Sequence, residues 1–194
     1  MKKINEIFYS LQGEGLHAGT PAVFVRFSGC NLKCPFCDTE HNNGVMMSDD
    51  DIVKEIVKYP AEWIIFTGGE PTIQLDNELC LELKKHGKKT AIETNGTKPV
   101  PKEVDFVTIS PKFEFCKNAD LFTGYRCDEL KVVFSLNTDM KLYEGIESKH
   151  YFLQPCWEDD KTKTAQNTNA AIDYCKNNPK WRLSLQTQKI TNIQ

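Results

Sequence analysis

The sequence predicts an α/β protein built on a mainly parallel sheet, either an incomplete (β/α) barrel or an open, curved sheet. Three observations carry that class. Short runs with period-two apolar alternation, rich in β-branched and aromatic residues, recur along the chain. Helical patterns lie between several of them with short connections, the arrangement that feeds right-handed parallel crossovers. A closed eightfold barrel needs about 250 residues, and 194 are present. With 40% apolar and 26% charged residues, and no repeat or flexible linker, residues 1–194 read as a single domain.

Strands are expected at residues 6–10, 22–27, 63–67, 90–93, 106–110, 130–134, 151–154 and 182–186. Ser48 with Asp51 three residues on opens a first helix, whose stripe is Ile52, Val53, Ile56 and Val57 and whose stop is Pro60. Asp76 caps a second, with Leu79, Leu81 and Leu83 inward and Gly87 at a left-handed exit. A third runs over about 169–177 and ends before Pro179, and the polar stretch 158–169 before it reads as a loop.

Twenty-four basic and 27 acidic residues leave a net charge of −3, which excludes a basic nucleic-acid footprint as the main surface feature. Apolar runs such as 22–25 and 63–66 are too short to span a membrane, and Glu6 falls where a signal peptide needs apolar residues. The expectation is a cytoplasmic protein with no nucleic-acid or membrane partner. In a reducing compartment its eight cysteines read as metal ligands, catalytic thiols or small buried side chains.

Cys30, Cys34 and Cys37 form C-x3-C-x2-C directly after the second expected strand, with Gly29 and Pro35 supplying tight turns. Structural zinc takes four protein ligands and an electron-transfer cluster four cysteines, so a trio leaves one position open for a substrate or cosubstrate. Zinc remains an alternative, with His41 or one of Cys80, Cys116, Cys127, Cys156 and Cys175 as the fourth ligand. Those five cysteines share no metal-type spacing and read as buried apolar residues.

The trio, with Phe36 before its last cysteine and Gly68-Gly69-Glu70-Pro71 further on, resembles the signature of the radical S-adenosylmethionine enzymes. The resemblance implies the incomplete barrel of that superfamily. It also implies a [4Fe–4S] cluster on Cys30, Cys34 and Cys37, with S-adenosylmethionine on the fourth iron as the source of a 5′-deoxyadenosyl radical. Phe36 would lie by the adenine, and the loop ending in Gly69 and Glu70 would receive the methionyl amine. Taken alone, the glycine pair is an ordinary strand-to-helix turn.

Further stretches, in order, resemble the 7-carboxy-7-deazaguanine synthase family: 6–15, Arg26, Cys37-Asp38-Thr39, 67–71, 93–96, Ser110-Pro111-Lys112, 130–133, Gln154-Pro155 and 182–187. The match covers nearly the whole chain. It implies a lyase reaction, the ring contraction of 6-carboxy-5,6,7,8-tetrahydropterin to 7-carboxy-7-deazaguanine with loss of ammonia, on the route to 7-deazapurines such as queuosine. Thr39 would contact a magnesium ion. Asp38, Ser110, Pro111, Lys112 and the run Gln154, Pro155, Cys156, Trp157 would meet S-adenosylmethionine. Leu11, Gln12, Gly13, Glu14, Arg26 and Thr67 would meet the pterin, Arg26 by clamping its carboxylate. Where the family commonly has histidine this chain has Gln188, which can hydrogen-bond but not carry charge. The family's terminal carboxylate contact falls to Gln194.

The resemblance also implies a homodimer and a flavodoxin- or ferredoxin-type electron donor. A second reading is an activase that installs a glycyl radical on a partner protein; 12–14 and Arg26 count against it. A third is a non-enzymatic zinc module.

Overall fold

The computed structural model describes residues 1–37, 39–115 and 126–194. Strands β1 (Lys2–Leu11), β2 (Pro21–Phe27) and β3 (Val45–Met47) precede helix α1 (Asp49–Ile56). Then follow β4 (Trp63–Gly68), α2 (Asn77–Lys85), β5 (Lys89–Thr94), β6 (Phe106–Ile109), β7 (Glu129–Phe134), β8 (His150–Pro155), α3 (Lys161–Asn177), β9 (Trp181–Leu183) and α4 (Thr187–Thr191). These strands form one sheet in the order β3-β1-β2-β4-β5-β6-β7-β8-β9. Pairing is parallel from β2 through β9, and β1 runs antiparallel to both β2 and β3. β3 and β9 are the two ends of this order and do not pair with each other, so the barrel is open as expected.

Alternation along each strand sorts side chains onto two faces. Val23, Val25 and Phe27 of β2, Ile64 and Phe66 of β4, Ile92 of β5 and Leu130 and Val132 of β7 join the main core with Ile52, Ile56, Leu79 and Leu83 of the helices. Each fully buried Ile or Leu there stabilises by roughly 1.5–3 kcal/mol. The intervening residues face the concave side. A small apolar cluster of Phe8, Ala22, Phe24, Ile65 and Ala91 lies there, with Trp63 and Phe106 packed on it. Continuing the same alternation toward the C-terminal strand ends places Arg26, Thr67, Glu93, Lys131 and Gln154 on that concave face.

The expected caps form. Ser48 Oγ accepts from Asp51 N, Asp76 accepts from Leu79 N, and Gly87 takes φ +72° after α2. Lys2, 4% exposed, joins the two helix starts by pairing with Asp49 at 2.6 Å and Asp76 at 2.7 Å.

Four expectations are corrected. Leu81 is exposed, because the inward stripe is Leu79, Cys80 and Leu83 and residue 81 lies two positions, about 200°, from Leu79. Val57 is also exposed, being the C-cap beyond the last helical residue. Most of 158–169 is helix, not loop: Asp160 caps α3 by accepting from Thr162 N, and its buried face needs only Asn167 and Ala171. The last strand stops at Leu183, and from Thr187 the chain turns into α4. β3 has no counterpart among the expected strands. Of the cysteines outside the trio, Cys80, Cys127 and Cys156 are buried and Cys175 is half-buried, while Cys116 lies outside the described residues. Burial pushes the Cys80 thiol up to about 12, consistent with a packing role.

Candidate active site

A cavity of about 590 Å³ opens at the C-terminal ends of the parallel strands, where such folds assemble sites. One end is the loop after β2. Its base is set by backbone bonds: Gly29 N to His41 O (2.7 Å), Glu70 N to Gly29 O (2.9 Å) and Gly69 N to Phe27 O (3.0 Å). Gly69 permits this seating, since a Cβ there would stand 1.9 Å from Gly29 O. Cys37 N donates to Cys34 O (3.1 Å), curling the loop so that Cys30, Cys34 and Cys37 all line the cavity, the first two half-buried and the third exposed. Burial raises the Cys30 thiol, while Leu32 N, 3.4 Å from its sulfur, favours the thiolate.

Among the described residues no three His, Cys, Asp or Glu side chains gather around a single-ion position. Three thiols on one loop, all lining one cavity, suit a cluster held by cysteine thiolates. Thr39 Oγ1 lines the same cavity 3.3 Å from Arg26 Nη1, and its hard oxygen suits magnesium.

The other end is a charge network around the buried Lys131. Lys131 Nζ lies 2.7 Å from Glu14 Oε2 and 2.8 Å from Glu93 Oε2. Gln186 and Gln188 donate to Glu14 Oε1 at 3.0 and 2.8 Å, and Gln12 donates to Glu93 Oε1 at 3.2 Å. One ammonium serves two carboxylates, and the two respond differently. Burial pushes Glu14 up, but the Lys131 charge and three donated bonds outweigh it and bring the carboxyl down to about 2. Burial, with the charges of Glu14 and Glu129 adding to it, raises Glu93 to about 7 against the pull of Lys131. Burial lowers Lys131, but the surrounding carboxylates outweigh it and hold its pKa above the ordinary value. Between the two ends, Lys112 bonds Ser110 O and Ser110 Oγ, both at 2.6 Å, and burial lowers it to about 8.

The remaining expected residues divide. Leu11, Gln12, Gly13, Phe36, Thr67, Ser110, Gln154, Pro155, Cys156, Trp157, Gln188 and Gln194 line the cavity. Arg26 lines it as well, with Nε bound to Glu6 Oε1 at 2.6 Å and its guanidinium 5.6 Å over the Phe8 ring. Gln194 Nε2 takes the other oxygen of Glu6 at 2.9 Å. Glu70 and Pro111 are not in the lining. The Glu70 carboxylate is fully buried, accepting from Thr72 N, Thr72 Oγ1, Thr94 Oγ1 and Asn95 N, and so ties the Gly68-Gly69 turn to the end of β5. Asp38 lies outside the described residues. Glu6, Glu93, Lys131 and Gln186 join the site from stretches that carry the family resemblance, with no role expected of any of them. Lys131 between Leu130 and Val132 was the available signal, a charge set in a buried strand.

A family profile of the Radical SAM superfamily matches residues 24–108. The chain is 52% identical over 194 residues, covering 100% of both sequences, to a 7-carboxy-7-deazaguanine synthase of Bacteroides thetaiotaomicron. A 7-carboxy-7-deazaguanine synthase of Haemophilus influenzae is 39% identical over 197 residues, with 98% of this chain and 93% of the relative covered. Among solved structures, QueE from Escherichia coli superimposes with a TM-score of 0.79 at 30% identity, over 95% of this chain and 93% of that one.

Proposed function

The chain belongs to the 7-carboxy-7-deazaguanine synthase family, and on that premise we propose how its own residues convert 6-carboxy-5,6,7,8-tetrahydropterin to 7-carboxy-7-deazaguanine with loss of ammonia. The observation that carries the reading is the meeting, in one cavity, of three thiols on a single loop and a carboxylate-ammonium-carboxylate floor. When bound, a reduced [4Fe–4S] cluster and S-adenosylmethionine supply a 5′-deoxyadenosyl radical, the hard chemistry for which the protein provides binding and orientation.

Cys30, Cys34 and Cys37 would hold the cluster. Gly69, Ser110, Lys112 and residues 154–157 would line S-adenosylmethionine, and the Thr39 hydroxyl would give magnesium one protein oxygen, with water and substrate completing its shell. Glu14, kept ionised by Lys131, is an acceptor for the N–H groups on the guanidine-like edge of a pterin. Arg26 at the cavity wall is the cation for its carboxylate. Glu93, raised to about 7, can hold a proton on its carboxyl near neutrality and is the member of the floor able to exchange one with substrate. Lys131 stays charged and keeps both carboxylates in place. The floor thus offers charge and hydrogen bonds where the substrate is polar, while Phe8 and Phe24 give the flat ring apolar walls. Operation in the cytoplasm, as a homodimer with a flavodoxin- or ferredoxin-type donor, belongs to the same reading; among the described residues no helix is long and apolar enough to cross a membrane.

The test is anaerobic turnover of the carboxypterin with S-adenosylmethionine, magnesium and a reductant. Wild type should release 7-carboxy-7-deazaguanine and Cys34→Ala should release none; an iron-loaded wild type that leaves the pterin unchanged overturns the reading.

A further inference from the structure

We propose that the first half of α3 is a cradle that sets the loop 156–158, and that Asn167 and Thr164 are its positioning residues for the S-adenosylmethionine end of the cavity. The proposal rests on the reading that residues 154–157 meet that cosubstrate.

Asn167 is 3% exposed on an otherwise polar helix, and its whole amide is committed. Nδ2 donates to Cys156 O and to Glu158 Oε1, each at 3.1 Å, and Oδ1 accepts from Leu136 N at 3.3 Å. Two acceptors on one side and a donor on the other leave a single orientation for the group. One turn earlier, Thr164 grips the same loop in both directions: its Oγ1 accepts from Glu158 N at 2.9 Å and donates to Glu158 O at 3.0 Å.

The loop held this way lines the cavity through Cys156 and Trp157. The Trp157 ring in turn lies 5.5 Å from Lys189 Nζ on α4, one residue from the Gln188 that bonds Glu14. A shift at Glu158 is therefore carried to both ends of the site. Packing alone would be served by an apolar residue at 167. A buried amide spent on the loop backbone is what fixing that backbone requires.

The substitutions that isolate this are Thr164→Val, which keeps shape and removes both bonds to Glu158; Thr164→Ser, which keeps the hydroxyl; and Asn167→Asp, which turns a donor toward Cys156 O and the Glu158 carboxylate into an acceptor. Thr164 is half-buried, so its variants fold even if Asn167→Asp does not. Hydrogen exchange of the intact chain reads the loop directly. The amide of Glu158, which loses its acceptor, should exchange on the order of tenfold faster in Thr164→Val, the Cys156 amide on Phe134 O and the rest of the sheet should stay as in wild type, and Thr164→Ser should restore protection. In cluster-loaded protein the Kd and KM for S-adenosylmethionine should rise several-fold in Thr164→Val and more in Asn167→Asp, with the KM for carboxypterin moving less. Trp157→Ala separates the proposal from its premise. If Trp157→Ala weakens S-adenosylmethionine binding while Thr164→Val leaves loop exchange and affinity unchanged, the cradle is wrong and the premise stands. If Trp157→Ala leaves the affinity unchanged, the premise falls, and the cradle's role in the cosubstrate site falls with it.

Discussion

The two ends of the cavity are built on opposite plans. The thiol end comes from eight consecutive residues, 30–37, curled by short-range bonds such as Cys37 N to Cys34 O, and its last cysteine is exposed. The carboxylate end is gathered from the whole chain. Lys131 reaches Glu14 across 117 positions and Gln188 reaches it across 174, and Lys131 itself is buried. A centre that brings its own bonding geometry needs only three thiols at the right spacing. A floor that must hold opposed charges away from water needs the sheet to place them, and the sheet must be sound first.

Breaking each end should therefore have different consequences. Cys34→Ala should abolish turnover while changing the unfolding free energy of the cluster-free chain by no more than roughly 0.5 kcal/mol in urea titrations. Lys131→Met leaves two half-buried carboxylates without their shared cation and should cost on the order of 3 kcal/mol in the same titration, with turnover lost as well. A stability loss as large for Cys34→Ala as for Lys131→Met would erase the contrast.

Glu93 sharpens it. Its carboxyl is raised in the folded chain from 4.5 to about 7, so the native state binds the extra proton between those values. That contribution is fully present below the unfolded pKa near 4.5 and is lost as pH rises through about 7. Glu93→Gln removes the titration, so its stability relative to wild type should improve on going from pH 5 to pH 8, by on the order of 2 kcal/mol. Denaturant titrations at the two pH values check this, and an unchanged difference would show that burial does not raise Glu93.

The smallest expected effect is at Gly13, where an added Cβ would stand 1.8 Å from Gln188 Oε1. The nearest obstacle is the far end of a flexible side chain, and the Gln188 backbone N at 3.0 Å must give only slightly, so Gly13→Ala should cost about 1 kcal/mol of stability. It should still turn Gln188 away from Glu14, and steady-state kinetics should show a several-fold higher KM for the pterin with little change for S-adenosylmethionine.

The same division explains what could be read from the amino acids alone. The C-x3-C-x2-C spacing, Gly69 in its turn, the caps Ser48 and Asp76 and the strand alternation are local patterns, and each appears in the fold at its expected place. The Glu14, Lys131 and Glu93 network was not legible as a network. It depends on β5 and β7 lying with β6 between them and on a loop from β1 reaching over both, which is topology rather than sequence. Residues 158–169 looked like a loop because they are polar, yet their Thr and Asn side chains are used inward, to hold another loop. The Glu70 side chain, set by the resemblance in the loop that receives the methionyl amine, is spent on tying the turn to β5.

The most direct test of the two-ended cavity is the affinity of Cys34→Ala for 6-carboxy-5,6,7,8-tetrahydropterin, measured by calorimetric titration with magnesium against cluster-free wild type. The account predicts the same Kd within about twofold, because the pterin floor owes nothing to the thiols; a loss of binding on the order of tenfold or more would contradict it.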